Sequence, residues 1–506
     1  MASRTYRDAI DCLNSLQSNA AMIEASRASG GRLAQFATHE TQEYLERIGY
    51  SPEDLNKLNV IHVTGTKGKG STCAFIDSLL RRAVPEWNVG LYTSPHLVAV
   101  RERIRVNGAP ISEETFAKYF FEVWDRFDAN PTRKYESTPH RPMYFRMVTM
   151  VAFHAFMDMK VDATILEVGV GGLYDCTNVV PKPVVTGVSA LGIDHVIVLG
   201  KTLKEIAWQK GGIYKEGVPA WTVDQPEEGM ASLREQAEAR KASTFTVTPF
   251  TPGLSDIKMG LAGKHQYQNA NLALHLVRTF LESQAPSVIA TEGAWTSIMK
   301  EGLENARWPG RCQTVPDPST ENLTWFLDGA HTTDSLECCM QWFMSSDGTL
   351  RKSDSKSKPL RVFVFNCTGQ RNGPTFLNTI LSKAQAQLQL YGAEDLEPKT
   401  YFDHVVFCTN VTYADGGFKG DLTQRTLKEE TPEQAVKPQR ELAETWKSLV
   451  PDFPDDNIHV FPSIEHSVKA IKEFSTAGQP VDVLVTGSLH LVGGVIEVAD
   501  LSDVAL

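Results

Sequence analysis

No apolar run in the chain approaches the ~20 residues a helix needs to cross a bilayer, so no membrane span is expected. Positive charge is in deficit. Fifty lysines and arginines face 61 aspartates and glutamates, a net charge of −11. Nonspecific nucleic-acid binding needs a basic face and is not expected, although a local basic pocket can still take an anionic substrate. No CxxC pair occurs among the eight cysteines; they are scattered, apart from the adjacent Cys338 and Cys339. Neither a zinc site nor a dithiol redox motif is predicted. Scattered thiols in a large chain suit a reducing compartment. The first residues lack the apolar core of a signal peptide, and Asp8 and Asp11 come early for an acid-poor mitochondrial presequence. Cytoplasmic residence is expected, with a mitochondrial pool left open. What is present is a 506-residue chain of ordinary globular composition, too long for one hydrophobic core.

Along the chain, strands and helices alternate. Strands are predicted over 59–63, 88–92, 163–168, 184–190 and 218–223, and helices over 5–17, 33–48, 71–83, 143–159, 203–210 and 267–281. The methionines of 143–159 read as core packing. Residues 103–106 read as a strand entering an Asn107-Gly108 hairpin. This alternation implies an α/β fold with a mostly parallel sheet covered on both faces. Asn305-Ala-Arg-Trp-Pro-Gly-Arg311, followed by Pro316 and Pro318, interrupts it, and a domain boundary is expected there. Beyond it, strands at 323–327, 361–366, 404–408, 458–461 and 481–486 imply a second, smaller α/β unit. The polar stretch 345–359 is expected to be an exposed loop.

The strongest chemical signal is Val63-Thr-Gly-Thr-Lys-Gly-Lys-Gly-Ser-Thr72, set between a predicted strand and a predicted helix. Glycines let main-chain N–H groups close on phosphate oxygens, and the helix N-terminus adds partial positive charge. Lys69 can neutralise the β- and γ-phosphates. The spacing departs from GxxxxGK[ST], because Gly65 and Gly68 are closer and Gly70 follows Lys69. A glycine-rich turn with surface lysines is the plainer reading, but the strand–loop–helix context favours nucleotide binding. Three further strand ends reach the same edge: Ser94 in Thr93-Ser-Pro-His-Leu97, Glu167 in Glu167-Val-Gly-Val-Gly-Gly172 and His195 in Gly192-Ile-Asp-His195. Each alone reads as a loop residue. Beside a phosphate loop they form a constellation for hydrated Mg²⁺, since a carboxylate at such an edge is costly unless paired or metal-bound. Lys210, in Ile206-Ala-Trp-Gln-Lys-Gly-Gly212, stands where a helix dipole favours a lysine. Asp328, in Asp328-Gly-Ala-His331, can accept ribose hydroxyls, and Arg311 can grip phosphate. A turn aspartate and a linker arginine are the plainer alternatives.

Taken in order, Thr64-Gly-Thr-Lys-Gly-Lys-Gly-Ser-Thr72, Ser94-Pro-His-Leu97, Arg101-Glu-Arg-Ile-Arg105, Glu167-Val-Gly-Val-Gly-Gly172 and Tyr174-Asp-Cys-Thr-Asn178 form the first half of a longer set. Leu191-Gly-Ile-Asp-His195, Ile206-Ala-Trp-Gln-Lys-Gly-Gly212, His265-Gln-Tyr-Gln-Asn-Ala-Asn271, Trp308-Pro-Gly-Arg311 and Leu327-Asp-Gly-Ala-His331 complete it. The whole resembles the folylpolyglutamate synthases of the Mur ligase superfamily, and Lys67 resembles their eukaryotic type. The resemblance implies an N-terminal P-loop ATPase domain with the folate site over 1–308, and a smaller Rossmann-like domain over 312–506. It implies ATP-dependent addition of L-glutamate to the γ-carboxyl of a reduced folate through an acyl phosphate. A monomer is expected. By motif match, Gly65, Thr66, Lys67, Gly68, Lys69, Gly70, Ser71 and Thr72 line the triphosphate. Ser94, Glu167 and His195 would bind Mg²⁺, and Asn269, Arg311, Asp328 and His331 would bind ATP. Lys210 matches a lysine that can carry a carbamate and help hold a second metal, and a monovalent cation such as K⁺ is implied as activator. The catalytic set is then Lys69, Lys210, Asp194 and His195. With His195 on the metal, Asp194 or a phosphate oxygen is left to take the proton of the attacking amine. Two alternatives stay open: a bifunctional enzyme that also makes dihydrofolate from dihydropteroate, and a non-catalytic ATP-binding regulator.

Overall fold

Short apolar runs in this chain become strands covered on both sides. The computed structural model describes residues 4–17, 37–136, 138–346, 348–350, 359–367, 372–393, 397–417, 420–422, 432–475 and 479–505. Parts of two expectations, the helix start at 33–36 and the polar loop at 347 and 351–358, lie outside the described residues.

The first sheet comprises β1 (Val60–Thr64), β2 (Val89–Tyr92), β3 (Ile104–Val106), β4 (Ala109–Pro110), β5 (Ala163–Glu167), β6 (Val185–Val188), β7 (Pro219–Thr222) and β8 (Thr244–Val247). Its order is β4-β3-β2-β5-β1-β6-β7-β8. The strands from β2 to β8 in that order are parallel, and β3 and β4 add an antiparallel hairpin. Its turn holds Asn107 at φ 52° and Gly108 at φ 85°, the left-handed pair that an Asn-Gly hairpin supplies. Side chains of the buried β1 alternate between two cores. Ile61 and Val63 join Phe75, Ile76 and Leu79 of the Lys69–Ala83 helix. Val60 joins Met147, Met150 and Phe153 of the Tyr144–Asp158 helix, so these methionines are core packing. The Gln266–Gln284 and Glu292–Glu304 helices complete the first of these cores.

The second sheet comprises β9 (Gln313–Pro316), β10 (Leu323–Leu327), β11 (Leu360–Phe365), β12 (His404–Cys408), β13 (Ile458–Phe461) and β14 (Val481–Thr486), in the order β13-β12-β11-β14-β10-β9. All are parallel except β9. The sequence reading assigns no strand at β8 or β9. Both are outermost strands, and β9 ends on Pro316, which is tolerated where only one side of a strand is hydrogen-bonded.

The molecule is thus α/β, with two mostly parallel sheets. Because β1 lies between β5 and β6, the carboxyl ends of β1, β2, β5 and β6 open on one edge, where ligands of such sheets bind.

Candidate active site

At that edge β1 runs into the Gly65–Gly68 loop. A Cβ on Gly65, at φ +155°, would stand 1.9 Å from Ser189 Oγ. One on Gly68, at φ +82°, would stand 2.1 Å from Asn269 Oδ1, so both positions require glycine. The loop is strapped to the end of β6. Thr66 and Lys67 N–H both donate to Ala190 O, at 2.9 and 3.0 Å, and Ser189 Oγ donates to Lys67 O at 2.6 Å. Gly68 caps the Lys69–Ala83 helix without a side-chain hydrogen bond, leaving the first-turn N–H groups to an anion.

Two lysines converge on this cradle. Lys69 Nζ and Lys210 Nζ donate to the same acceptor, Gly65 O, at 3.0 and 2.7 Å. Lys210 occupies the last turn of the Leu203–Gly211 helix, as the dipole argument expects, yet its buried side chain runs to the phosphate loop. Burial, followed by the charge of Lys69, drives its ammonium well below the usual lysine range. Asp194 and Asp175 pull the other way.

Ser94 and Glu167 are brought together: the Ser94 N–H donates to Glu167 Oε2 at 3.0 Å. Burial raises the proton affinity of the Glu167 carboxyl, against the opposing pull of Lys69, the Ser94 N–H, Arg311 and Arg103. A buried carboxylate beside a serine at the mouth of an anion cradle fits a hard divalent cation, which takes oxygen donors. His195 stands farther out. It is 53% exposed, its N–H donates to Asp194 Oδ1 at 2.8 Å, and its Nε2 lies 3.9 Å from Asp194 Oδ2. Among the described residues no three His, Cys, Asp or Glu side chains gather as a metal cage. The expected set contains only two of those types.

The candidates of the second sheet lie at and near the end of β10. Asp328 follows β10, and its carboxylate accepts the N–H groups of Cys312 at 2.8 Å and Ala330 at 2.9 Å. Arg311 Nη1 donates to Gly310 O at 3.0 Å. His331 Nδ1 lies 2.8 Å from Gly329 O. Asn269 Nδ2 donates to Gln266 Oε1 at 2.9 Å, and Gln266 Nε2 to Ser71 Oγ at 3.3 Å, which ties Asn269 to the cradle. Lys67 leaves the cradle and pairs with Asp334. Among the described residues no helix is long and apolar enough to cross a membrane.

No family model matches the chain. Over 520 aligned residues, spanning all of this chain and 88% of each relative, it is 42% identical to the folylpolyglutamate synthases of Saccharomyces cerevisiae strains AWRI796 and S288c. The chain belongs to the folylpolyglutamate synthase family. Among solved structures, Mycobacterium tuberculosis folylpolyglutamate synthase complexed with ADP and AMPPCP shares the fold at a TM-score of 0.67 and 22% identity. That match covers 91% of this chain and 95% of that one. Escherichia coli FolC in complex with DHPP and ADP does so at 0.65 and 22%, covering 99% of each.

In this member of the folylpolyglutamate synthase family, several supporting residues escape the sequence reading. Asp175 accepts the Val170 N–H at 3.1 Å and both the N–H and hydroxyl of Thr177, so it sets the glycine loop after Glu167. Glu102 accepts three consecutive N–H groups, from Leu97, Val98 and Ala99, and so holds the segment that follows Ser94. Asp175, Glu102 and Gln266 lie inside recognisable motifs, which is the signal that could have found them. Ser189 and Asp334 have none, because only contacts across the sheet and across the cleft reveal them.

Proposed function

We propose that the chain adds L-glutamate to the γ-carboxyl of a reduced folate at the expense of ATP. The observation that carries this reading is the convergence of Lys69 and Lys210 on Gly65 O inside a glycine cradle, with Glu167 and Ser94 at its mouth.

A carboxylate is a poor electrophile and must first be activated. A γ-carboxylate oxygen of the folate attacks the γ-phosphorus of ATP, the bond to the β–γ bridging oxygen breaks, and ADP leaves. Here an anion approaches a triphosphate, and Lys69 with the helix N-terminus screens the charge. When bound by Ser94, Glu167 and His195, Mg²⁺ supplies further positive charge at the phosphate oxygens. The glutamate nitrogen then attacks the acyl carbon, phosphate departs with the C–O electron pair, and the amine proton passes to Asp194 or to a phosphate oxygen. Lys210 favours the neutral amine, the form that adds carbon dioxide; loss of a proton then leaves a carbamate, an anionic group for a second cation. The monovalent activator, such as K⁺, rests on the family resemblance alone.

Residues 1–308 and 312–506 form the two domains of this proposed ligase, which works as a monomer. Arg311, Asp328 and His331 approach ATP from the second domain, Asn269 from the first. Closure over the acyl phosphate would exclude water and align the amine. All eight cysteines are free thiols, which supports a cytoplasmic enzyme.

The test is mass spectrometry of products after incubation with tetrahydrofolate, ATP, Mg²⁺ and L-glutamate. A ladder spaced by glutamyl units is expected. ATP binding without ADP release or a ladder would identify a regulator instead. A parallel arm with dihydropteroate as acceptor decides whether the enzyme is bifunctional.

A further inference from the structure

The two lysines of the cradle segment point in different directions. Lys69 folds back onto Gly65 O at 3.0 Å, whereas the Lys67 ammonium pairs with Asp334 Oδ2. The main chain of Lys67 is fixed to the first sheet, through its N–H to Ala190 O at 3.0 Å and its carbonyl from Ser189 Oγ at 2.6 Å. Asp334 belongs to the first turn of the Thr333–Phe343 helix, whose cap Thr332 directly follows Asp328-Gly-Ala-His331. One ion pair therefore joins the phosphate cradle to the helix that follows the nucleotide-side aspartate of the other lobe. One turn further along that helix, Cys338 also feels the charge of Lys67. The outward course of Lys67 has an electrostatic reason. Lys69 already sets an ammonium on Gly65 O, a second one there would be repelled, and Asp334 offers an opposite charge.

We propose that Asp334 is a positioning residue: through Lys67 it draws the second lobe onto the cradle and favours the arrangement in which both lobes hold ATP. The proposal rests on the nucleotide reading of the site given above. Asp334 itself is 79% exposed and touches no reacting atom. An exposed pair of this kind shifts an equilibrium by about two- to fivefold, so the effect belongs in the KM for ATP and not in kcat.

The experiment compares Lys67→Glu, Asp334→Lys and the double exchange. It reads the KM for ATP, kcat, and hydrogen exchange of the nucleotide-free protein over residues 64–72 and 332–338. Each single reversal sets like charges face to face and should raise the KM about fivefold, with kcat changed less and faster exchange in both segments. The exchanged pair should return KM and exchange close to wild type. A double variant no better than Lys67→Glu would overturn the proposal, since that is what direct contact between Lys67 and phosphate predicts. Asp334→Lys with an unchanged KM would overturn it as well. Should the wild type make no glutamylated folate, the proposed function fails. The exchange measurement, which uses no substrate, still decides the ion pair: segments that stay loosened in the double variant refute it.

Discussion

His62 shows how a single side chain on β1 carries information that no motif contains. It is fully buried, and its Nε2 stands 3.0 Å from Thr177 Oγ1. That hydroxyl donates to Asp175 Oδ1 at 2.6 Å, so the imidazole is the donor in the first bond. Burial, with the nearby charge of Lys215, lowers its pKa to about 3. Above pH ~6.5 neither the folded nor the unfolded chain protonates this imidazole, and it adds no pH dependence. Below that value the unfolded chain takes up a proton that the fold refuses. Stability is therefore lost as pH falls, at about 1.4 kcal/mol per pH unit, until the folded pKa is reached. His96, likewise lowered to about 3 by burial, adds a second such contribution. Between pH 7 and 5, His62→Gln should reduce the loss of urea-measured stability by about 2 kcal/mol relative to wild type. An equal loss in both proteins would mean that His62 protonates within the fold. At this scale the sequence discloses chemistry better than support. Lys69, Ser94 and Glu167 are legible as candidates because phosphate and cation binding would demand such groups after strands, and the structure brings Ser94 and Glu167 together. Ser189 is not, since its role beneath Gly65 exists only once β1 and β6 are side by side.

Among the elements, the segment between β2 and β3 places Ser94. It leaves β2 at Tyr92, carries Ser94, and is gathered by Glu102, whose buried carboxylate accepts Ala99 N–H at 2.6 Å, Val98 N–H at 2.9 Å and Leu97 N–H at 3.0 Å. Leu97 is pinned from the other side, where a Cβ on Gly493 would stand 1.9 Å from its carbonyl oxygen. Glu102→Gln presents an N–H₂ to main-chain donors. With a buried donor left unsatisfied it should lower stability by about 1–3 kcal/mol. Because Ser94 lies just upstream, the Mg²⁺ concentration needed for half-maximal turnover should rise with it. Stability and Mg²⁺ dependence both equal to wild type would show that Gly493 packing alone holds the segment. Elements with strong local signals were readable in advance: the Asn107-Gly108 hairpin, the buried strands β5, β12 and β14, and the helix after the cradle. The outer strands β8 and β9 were not. Thr244-Phe-Thr-Val247 is short and half-exposed, and β9 is defined by its pairing with β10 more than by its own residues.

For the whole molecule, the question is how the two sheets are joined and whether both could serve one nucleotide, as the proposed function requires. On one side the lobes meet through half-buried contacts. Asp421 takes the Tyr6 hydroxyl at 3.1 Å, and its carbonyl oxygen lies 2.7 Å from His96 Nε2. On the other side lie the exposed Lys67–Asp334 pair and the Asp328 turn. Asp328 shapes its turn, and the proposed function gives it a second task. Its oxygens accept the Cys312 and Ala330 N–H groups and also meet the Cys312 and Cys339 thiols, and under that proposal a ribose hydroxyl would be accepted here too. Asp328→Ala removes both functions together and leaves two buried donors unsatisfied, at about 1–3 kcal/mol each. Asp328→Asn separates them better, because one oxygen survives to accept a main-chain N–H while the negative charge toward ribose is gone. The expected result is a KM for ATP raised about tenfold, near the worth of one charged hydrogen bond, with kcat within about twofold and stability lowered by about 1–3 kcal/mol for the one buried N–H left facing the amide. A wild-type KM accompanied by lowered stability would make Asp328 a turn residue only. ATP would then be held by the first lobe alone, and closure would have to be driven by the folate or by the Lys67–Asp334 pair.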